Sequence, residues 1–166
     1  MKKATGNSDI VWRESPCETD EKRIKDIVVS SGFFSEDECE IAVELVQERL
    51  QKGISSGYHF LFVEEKEQMK GYACFGPIPG TKGSFDLYWI AVENSFRGFG
   101  LGLKIMEKVE NKIAEFKGRQ IYVETSSKEQ YQPTRSFYEK CGYKKAAELS
   151  DFYSPGDNKI IYVKNI

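Results

Sequence analysis

Residues 97–102, RGFGLG, place three glycines within five positions, where an aromatic and β-branched run gives way to a helical pattern. Small residues let another molecule approach the backbone closely, and the unsatisfied N–H groups of a helix start, aided by the helix dipole, favour an anion. A phosphate, an RNA base and a plain tight turn are the candidate explanations. A dinucleotide-binding turn requires GxGxxG, whereas here GxGxG is followed by Leu103, with no evident acidic residue about twenty positions on. A P-loop requires Gly-Lys-Ser/Thr, which does not follow. RGFG matches the opening of the RNA-binding signature K/R-G-F/Y-G/A-F-V-x-F/Y, but Leu101-Gly102-Leu103 replaces its second aromatic set.

Other chemistry has fewer candidates. His59 is the sole histidine, and Cys17, Cys39, Cys74 and Cys141 are far apart with no CxxC pair, so the usual ligand spacing of a zinc site is missing and no metal is expected. A Ser-His-Asp or Cys-His nucleophile would depend on His59 alone. That residue lies inside the strand-like YHFLFV and reads as structural. Cys141, without a histidine partner, reads as a small apolar filler at a helix end.

The elements that must position the glycine segment follow from periodicity. Ile10–Arg13 reads as a first strand and residues 19–29 as a helix ending near Gly32. Ser35 followed by Glu38 is a capping-box pattern, and Ile41, Ala42, Leu45, Val46 and Leu50 form one helical face up to Gly53. Residues 58–64 and 69–75 flank the polar turn EEKEQ as an antiparallel hairpin. FDLYWIAV, residues 85–92, is near-continuously apolar, as in a strand covered on both faces. A helix follows from Leu101, with Ile105, Val109, Ile113 and Phe116 on one stripe, until Gly118. IYVET (121–125) is a strand, Pro133 opens a short helix that Cys141-Gly142 closes, and residues 144–149 and 159–164 form a final strand pair around the turn-favouring SPGDN.

The chain of 166 residues suits one domain, and its 24 basic against 26 acidic side chains leave a formal charge of −2, with a pI near 5.6. That balance gives no broad footprint for nucleic acid. MKKATGNSDIVW has no signal-like apolar stretch, and no run is long enough to cross a bilayer. A cytoplasmic protein without membrane or nucleic-acid partners is expected.

Arg97-Gly98-Phe99-Gly100-Leu101-Gly102 fits the Q/R-x-x-G-x-G/A motif of the GNAT superfamily of acyl-CoA-dependent N-acyltransferases, and Ser136-Phe137-Tyr138-Glu139-Lys140-Cys141-Gly142-Tyr143 is similar to that family's x-L-Y-E-K-x-G-F segment. With the order of elements, the resemblance covers nearly the whole chain. It implies an α+β, three-layer fold: a central mixed, largely antiparallel sheet of about six to seven strands flanked by about four helices. Residues 1–8 are then a flexible N-terminus and 9–166 a single N-acetyltransferase domain. Acetyl-CoA is the implied acyl donor, transferring directly to a primary amine of a small molecule or peptide, with a homodimer as the common assembly. The rival reading is a noncatalytic CoA-binding or protein-interaction module on the same fold.

The resemblance also assigns roles. The strand end Ile90-Ala91-Val92 pairs with the pantetheine arm, and the amides of Arg97, Gly98, Phe99, Gly100, Leu101 and Gly102 hold the pyrophosphate. Tyr138 matches the tyrosine that faces the CoA sulfur, as cofactor contact and general acid. An amine with a pKa near 10.4 is only about 0.1% neutral at pH 7, so a base must take its proton. Asp86 stands six residues before Val92, where histone-acetylating relatives carry glutamate, and strict strand alternation puts it on the face of Tyr88, Ile90 and Val92. Glu124 on the neighbouring strand is the rival base or a substrate contact. Phe33 and Phe34 stand where relatives cover the acceptor, as an apolar wall or as core anchors. The chain departs from many relatives at Tyr131, where they carry asparagine.

Overall fold

The structure, a computed structural model, describes residues 10–166; the stretch 1–8 expected to be flexible lies outside them. Seven strands form one mixed sheet in the order β1-β2-β3-β4-β5-β7-β6, with β1 at Ile10–Arg13, β2 at His59–Glu65, β3 at Gln68–Pro77, β4 at Ser84–Val92, β5 at Gln120–Ser126, β6 at Lys144–Ser154 and β7 at Asp157–Asn165. Four α-helices flank it: α1 at Asp20–Ser30, α2 at Glu36–Lys52, α3 at Leu101–Glu115 and α4 at Gln132–Lys140. The expected three-layer α+β architecture is the one found.

One face of the sheet carries α1 and α2, where Ile24, Val28, Ala42 and Val46 pack on Phe60, Phe62 and Tyr72. The other carries α3 and α4, where Ile105, Val109, Ile113 and Tyr138 pack on Phe75, Ile121 and Val123. Burial of each such aliphatic side chain contributes about 1.5–3 kcal/mol. The start of α2 is fixed locally: Glu38 N–H donates to Ser35 Oγ at 3.2 Å and Ser35 N–H to the Glu38 carboxylate at 2.8 Å, the full capping box.

Local signals were overridden in three places. The β2–β3 turn uses Lys66 and Glu67, both left-handed at φ 50° and 62°, although neither is a favoured residue there; strand twist dictates a primed turn. The last hairpin is longer than periodicity suggested, because β6 runs on to Ser154 past a left-handed Asp151 at φ 52°. In β4 the register against β3 slips between Cys74 and Phe75, leaving Tyr88 as the extra residue of a bulge. That bulge corrects the expected alternation. Phe85 and Leu87 face α3 together with Ile90 and Val92, whereas Tyr88, Trp89 and Ala91 face α1 and α2. Asp86, lying between Phe85 and Leu87, therefore shares the α1/α2 face and not that of Ile90 and Val92.

Candidate active site

Among the described residues the neighbours β4 and β5 are the one parallel pair in the sheet, and they pair only through Ser84–Gln120, Phe85–Ile121 and Asp86–Tyr122. Beyond Asp86 they part. From Leu87 to Val92, β4 pairs with β3 alone, so its other edge offers unpaired peptide groups to the opening wedge. Unpaired strand edges are templates for an extended partner.

RGFGLG lies at the wide end of this wedge. Gly98 and Gly100 both have φ +79°, a conformation that costs an L-residue about 1–2 kcal/mol, and a Cβ on either would meet nothing within 4 Å. Glycine is required there by backbone geometry, with open space above it. The first amide of α3 to reach back is that of Lys104, to Gly100 O at 3.2 Å. The amides of 98–103 make no main-chain bond to any described residue, and with the helix dipole behind them they suit an anion. Gly102 has a different reason: its Cβ would stand 3.1 Å from the Phe137 ring, so α3 and α4 approach closely there. Arg97 is exposed, with its guanidinium 5.2 Å from the Phe33 ring centroid, and Phe99 is 79% exposed.

Tyr138 and Asp86 stand on opposite faces of the sheet, and the wedge is what connects them. The Tyr138 ring is buried between those of Tyr143 and Tyr162, with centroids 6.1 and 6.2 Å away. Burial pushes its phenol well up from the ordinary value, so it stays protonated and can donate. Among the described residues its hydroxyl has no hydrogen-bond partner. Asp86 is half-buried. Burial first, and the charge of Glu124 second, push its carboxyl up to about 6, against the opposing pull of Lys159. A carboxyl tuned to that range is suited to exchange protons near neutral pH.

Glu124 shares that face, two residues beyond the Tyr122 that pairs with Asp86. It is paired with Lys159 Nζ at 2.7 Å, whereas Asp86 has no ion-pair partner among the described residues. Phe34 packs on Trp89 at 4.8 Å and Tyr58 edge-on to Tyr88 at 5.2 Å, all four on the α1/α2 face that Asp86 shares. Phe33 instead lies on a strap across the mouth of the wedge. Its ring meets Arg97, and its carbonyl accepts long bonds from Tyr131 Oη at 3.3 Å and Gln130 Nε2 at 3.4 Å. At the strap's other end, Asn94 Nδ2 donates to Ser30 O at 2.6 Å. Tyr131, the residue that departs from the asparagine of relatives, thus ties the strap to the β5 side.

Sequence reasoning missed Lys159, Trp89 and Tyr88, because a lysine on a strand and aromatics in an apolar run carry no local signal of a site. His59 packs against Phe75 and Phe116 at 5.6 and 4.8 Å, away from the wedge. Among the described residues no cluster of His, Cys, Asp and Glu suited to a metal is found, and no helix is long and apolar enough to cross a membrane.

A three-layer sheet that parts beside an amide-lined glycine loop has the architecture of an acyl-CoA-dependent transferase. The family model for the acetyltransferase (GNAT) domain matches residues 56–145. A GNAT-family protein from Desulfovibrio desulfuricans is 41% identical, with a TM-score of 0.92 over 95% of this chain and 99% of that one. The chain belongs to the GNAT family and is an acyl-CoA-dependent acetyltransferase. The fold is also that of an aminoglycoside 6'-N-acetyltransferase complexed with coenzyme A, at 18% identity and a TM-score of 0.73 over 93% of this chain and 96% of that one. It is likewise that of the ribosomal-protein-S18-alanine N-acetyltransferase from Escherichia coli, at 13% identity and a TM-score of 0.68 over 95% and 94%. Comparison with curated protein sequences gives no match.

Proposed function

We propose that this acetyltransferase acylates a primary amine by direct transfer, with Asp86 as the base and Tyr138 as the acid. The observation that carries the reading is the half-buried Asp86 at the last β4–β5 pair, where the two strands part. The wedge suits acetyl-CoA: free amides at 98–103 for its pyrophosphate and the open edge of Ile90, Ala91 and Val92 for its pantetheine arm. The two neighbours named above both acetylate nitrogen, which supports an amine acceptor here.

Acetyl-CoA supplies the activated thioester. Ionised Asp86 takes the ammonium proton, directly or through one water, which frees the nitrogen lone pair to attack the thioester carbonyl. Tyr138, across the wedge, gives its proton to the departing thiolate. The charge of Glu124 raises the proton affinity of Asp86, and Lys159, paired with Glu124, offsets part of that effect. No covalent enzyme intermediate is needed, in keeping with a site that brings no cysteine–histidine pair together. Free thiol released from acetyl-CoA, followed across a panel of primary amines, tests the reading. Acceptor-dependent release is expected; coenzyme A binding without release from any amine favours the noncatalytic module instead.

A further inference from the structure

Lys159 does more than neutralise a neighbour. Its Nζ lies 2.7 Å from Glu124 Oε2, 3.8 Å from the Phe152 ring centroid and 5.9 Å from that of Tyr153. The two rings meet edge to face at 5.1 Å, and the lysine side chain is only 14% exposed. A carboxylate with aromatic faces around it is the chemistry that binds an ammonium group. Here the ammonium is the chain's own.

This occupied cage adjoins the proposed base. Lys159 pairs with Ser126 across β5–β7, two residues from Glu124, so all three lie on the face of Asp86. Three other carboxylates near that face are engaged. Asp157 is held by Ser126 Oγ and by Lys128 at 3.4 Å. Glu38 is held by the Ser35 amide at 2.8 Å and approached by Tyr131 Oη. Glu48, near Tyr58, pairs with Lys52 at 2.6 Å. Asp86 makes no ion pair or hydrogen bond among the described residues; Tyr88 is close enough to feel its charge, and Phe34, Trp89, Tyr58 and Tyr88 line the sheet face it shares. Where β4 and β5 part, with Glu124 paired to Lys159, Asp86 is the carboxylate left to meet a positive charge.

We propose that Lys159 is a specificity-determining residue that fills the cation position next to the reacting centre, so that the acceptor is a monoamine on an apolar or aromatic body and a second positive charge is turned away. This rests on amine acetylation as proposed above. A dication would have to displace Lys159 from Glu124 or lie beside it, and like charges in a partly desolvated site repel strongly.

Hexylamine and hexane-1,6-diamine differ only in the second charge. Their kcat/KM ratio, from thiol release and corrected for the twofold statistical advantage of the diamine, is measured for the native enzyme, Lys159→Met and Lys159→Arg. Binding of each amine to the enzyme–coenzyme A complex by calorimetry gives the same ratio without turnover. We expect the native enzyme and Lys159→Arg to prefer hexylamine by about tenfold or more, and Lys159→Met to move that ratio at least about tenfold toward the diamine. Equal ratios in native and Lys159→Met proteins, a native preference for the diamine, or failure of both amines to bind would overturn the assignment. Amines that bind with the expected ratios but release no thiol would leave Lys159 its role and remove the transferase chemistry.

Discussion

Asp86 carries a proton-affinity shift with two separable consequences. If its ionised form is the base, kcat/KM rises with pH through about 6 and then levels, on top of the acceptor's own titration. Asp86→Asn should erase that limb and lower kcat/KM by about 10²–10⁴-fold; a variant that keeps the limb would clear Asp86 of the role. The linked stability effect has the opposite sign. A carboxyl raised in the folded state holds its proton more tightly there than in the unfolded chain, so stability falls as pH climbs from about 4 through about 6. With solvent screening allowed for, Asp86→Asn should gain of order 1 kcal/mol at pH 7.5, or about 2–4 °C in Tm. Such a gain alongside lost turnover marks a group placed for chemistry at a cost in stability. Tyr138→Phe separates acid from packing, since the buried ring stays and only the hydroxyl goes. We expect kcat to drop by about 10²-fold or more while coenzyme A affinity stays within about twofold. Unchanged kcat at saturating acceptor would return Tyr138 to the core.

The strand–loop–helix unit β4–97–102–α3 makes its own prediction. Gly100 sits at φ +79° with free space where a Cβ would be, so Gly100→Ala strains the backbone without a clash, by about 1–2 kcal/mol. The strain tilts the amides that would grip the pyrophosphate. Calorimetry should show coenzyme A affinity about tenfold weaker, with kcat at saturating donor little changed; native affinity would mean the anion is held elsewhere. Much of this unit was legible beforehand, because glycine spacing and helical periodicity are local. The capping box of α2 was legible for the same reason. The bulge at Tyr88 was not: an extra residue in β4 is defined only against β3, and it moves Asp86 away from the face of Ile90 and Val92. Lys159 was equally silent, since its partners Glu124, Phe152 and Tyr153 arrive on β5 and β6.

Taken whole, the molecule is a sheet with a seam. The β1–β4 and β5–β7 parts join through three residue pairs, Ser84–Gln120 to Asp86–Tyr122, with α3 packed across β3 and β4 and the strap of Phe33 reaching toward Tyr131. A ligand in the seam would add bonds between parts that share few. Coenzyme A at a hundred times its Kd should therefore stabilise the fold by about 2.7 kcal/mol, and hydrogen exchange should slow along residues 87–92 and 97–103. A rise in Tm with protection confined to other segments would place the coenzyme outside the seam.

By itself, the sequence determined the elements, the glycine loop ahead of α3 and the family resemblance, because caps, periodicity and turn residues act over a few positions. Only the tertiary structure decided which carboxylate stays free. Glu124 is paired with a lysine 35 residues further along the chain, and the proton affinity of Asp86 depends on burial and on charges brought by two other strands, β5 and β7. Those are distances through space, which residue order does not record.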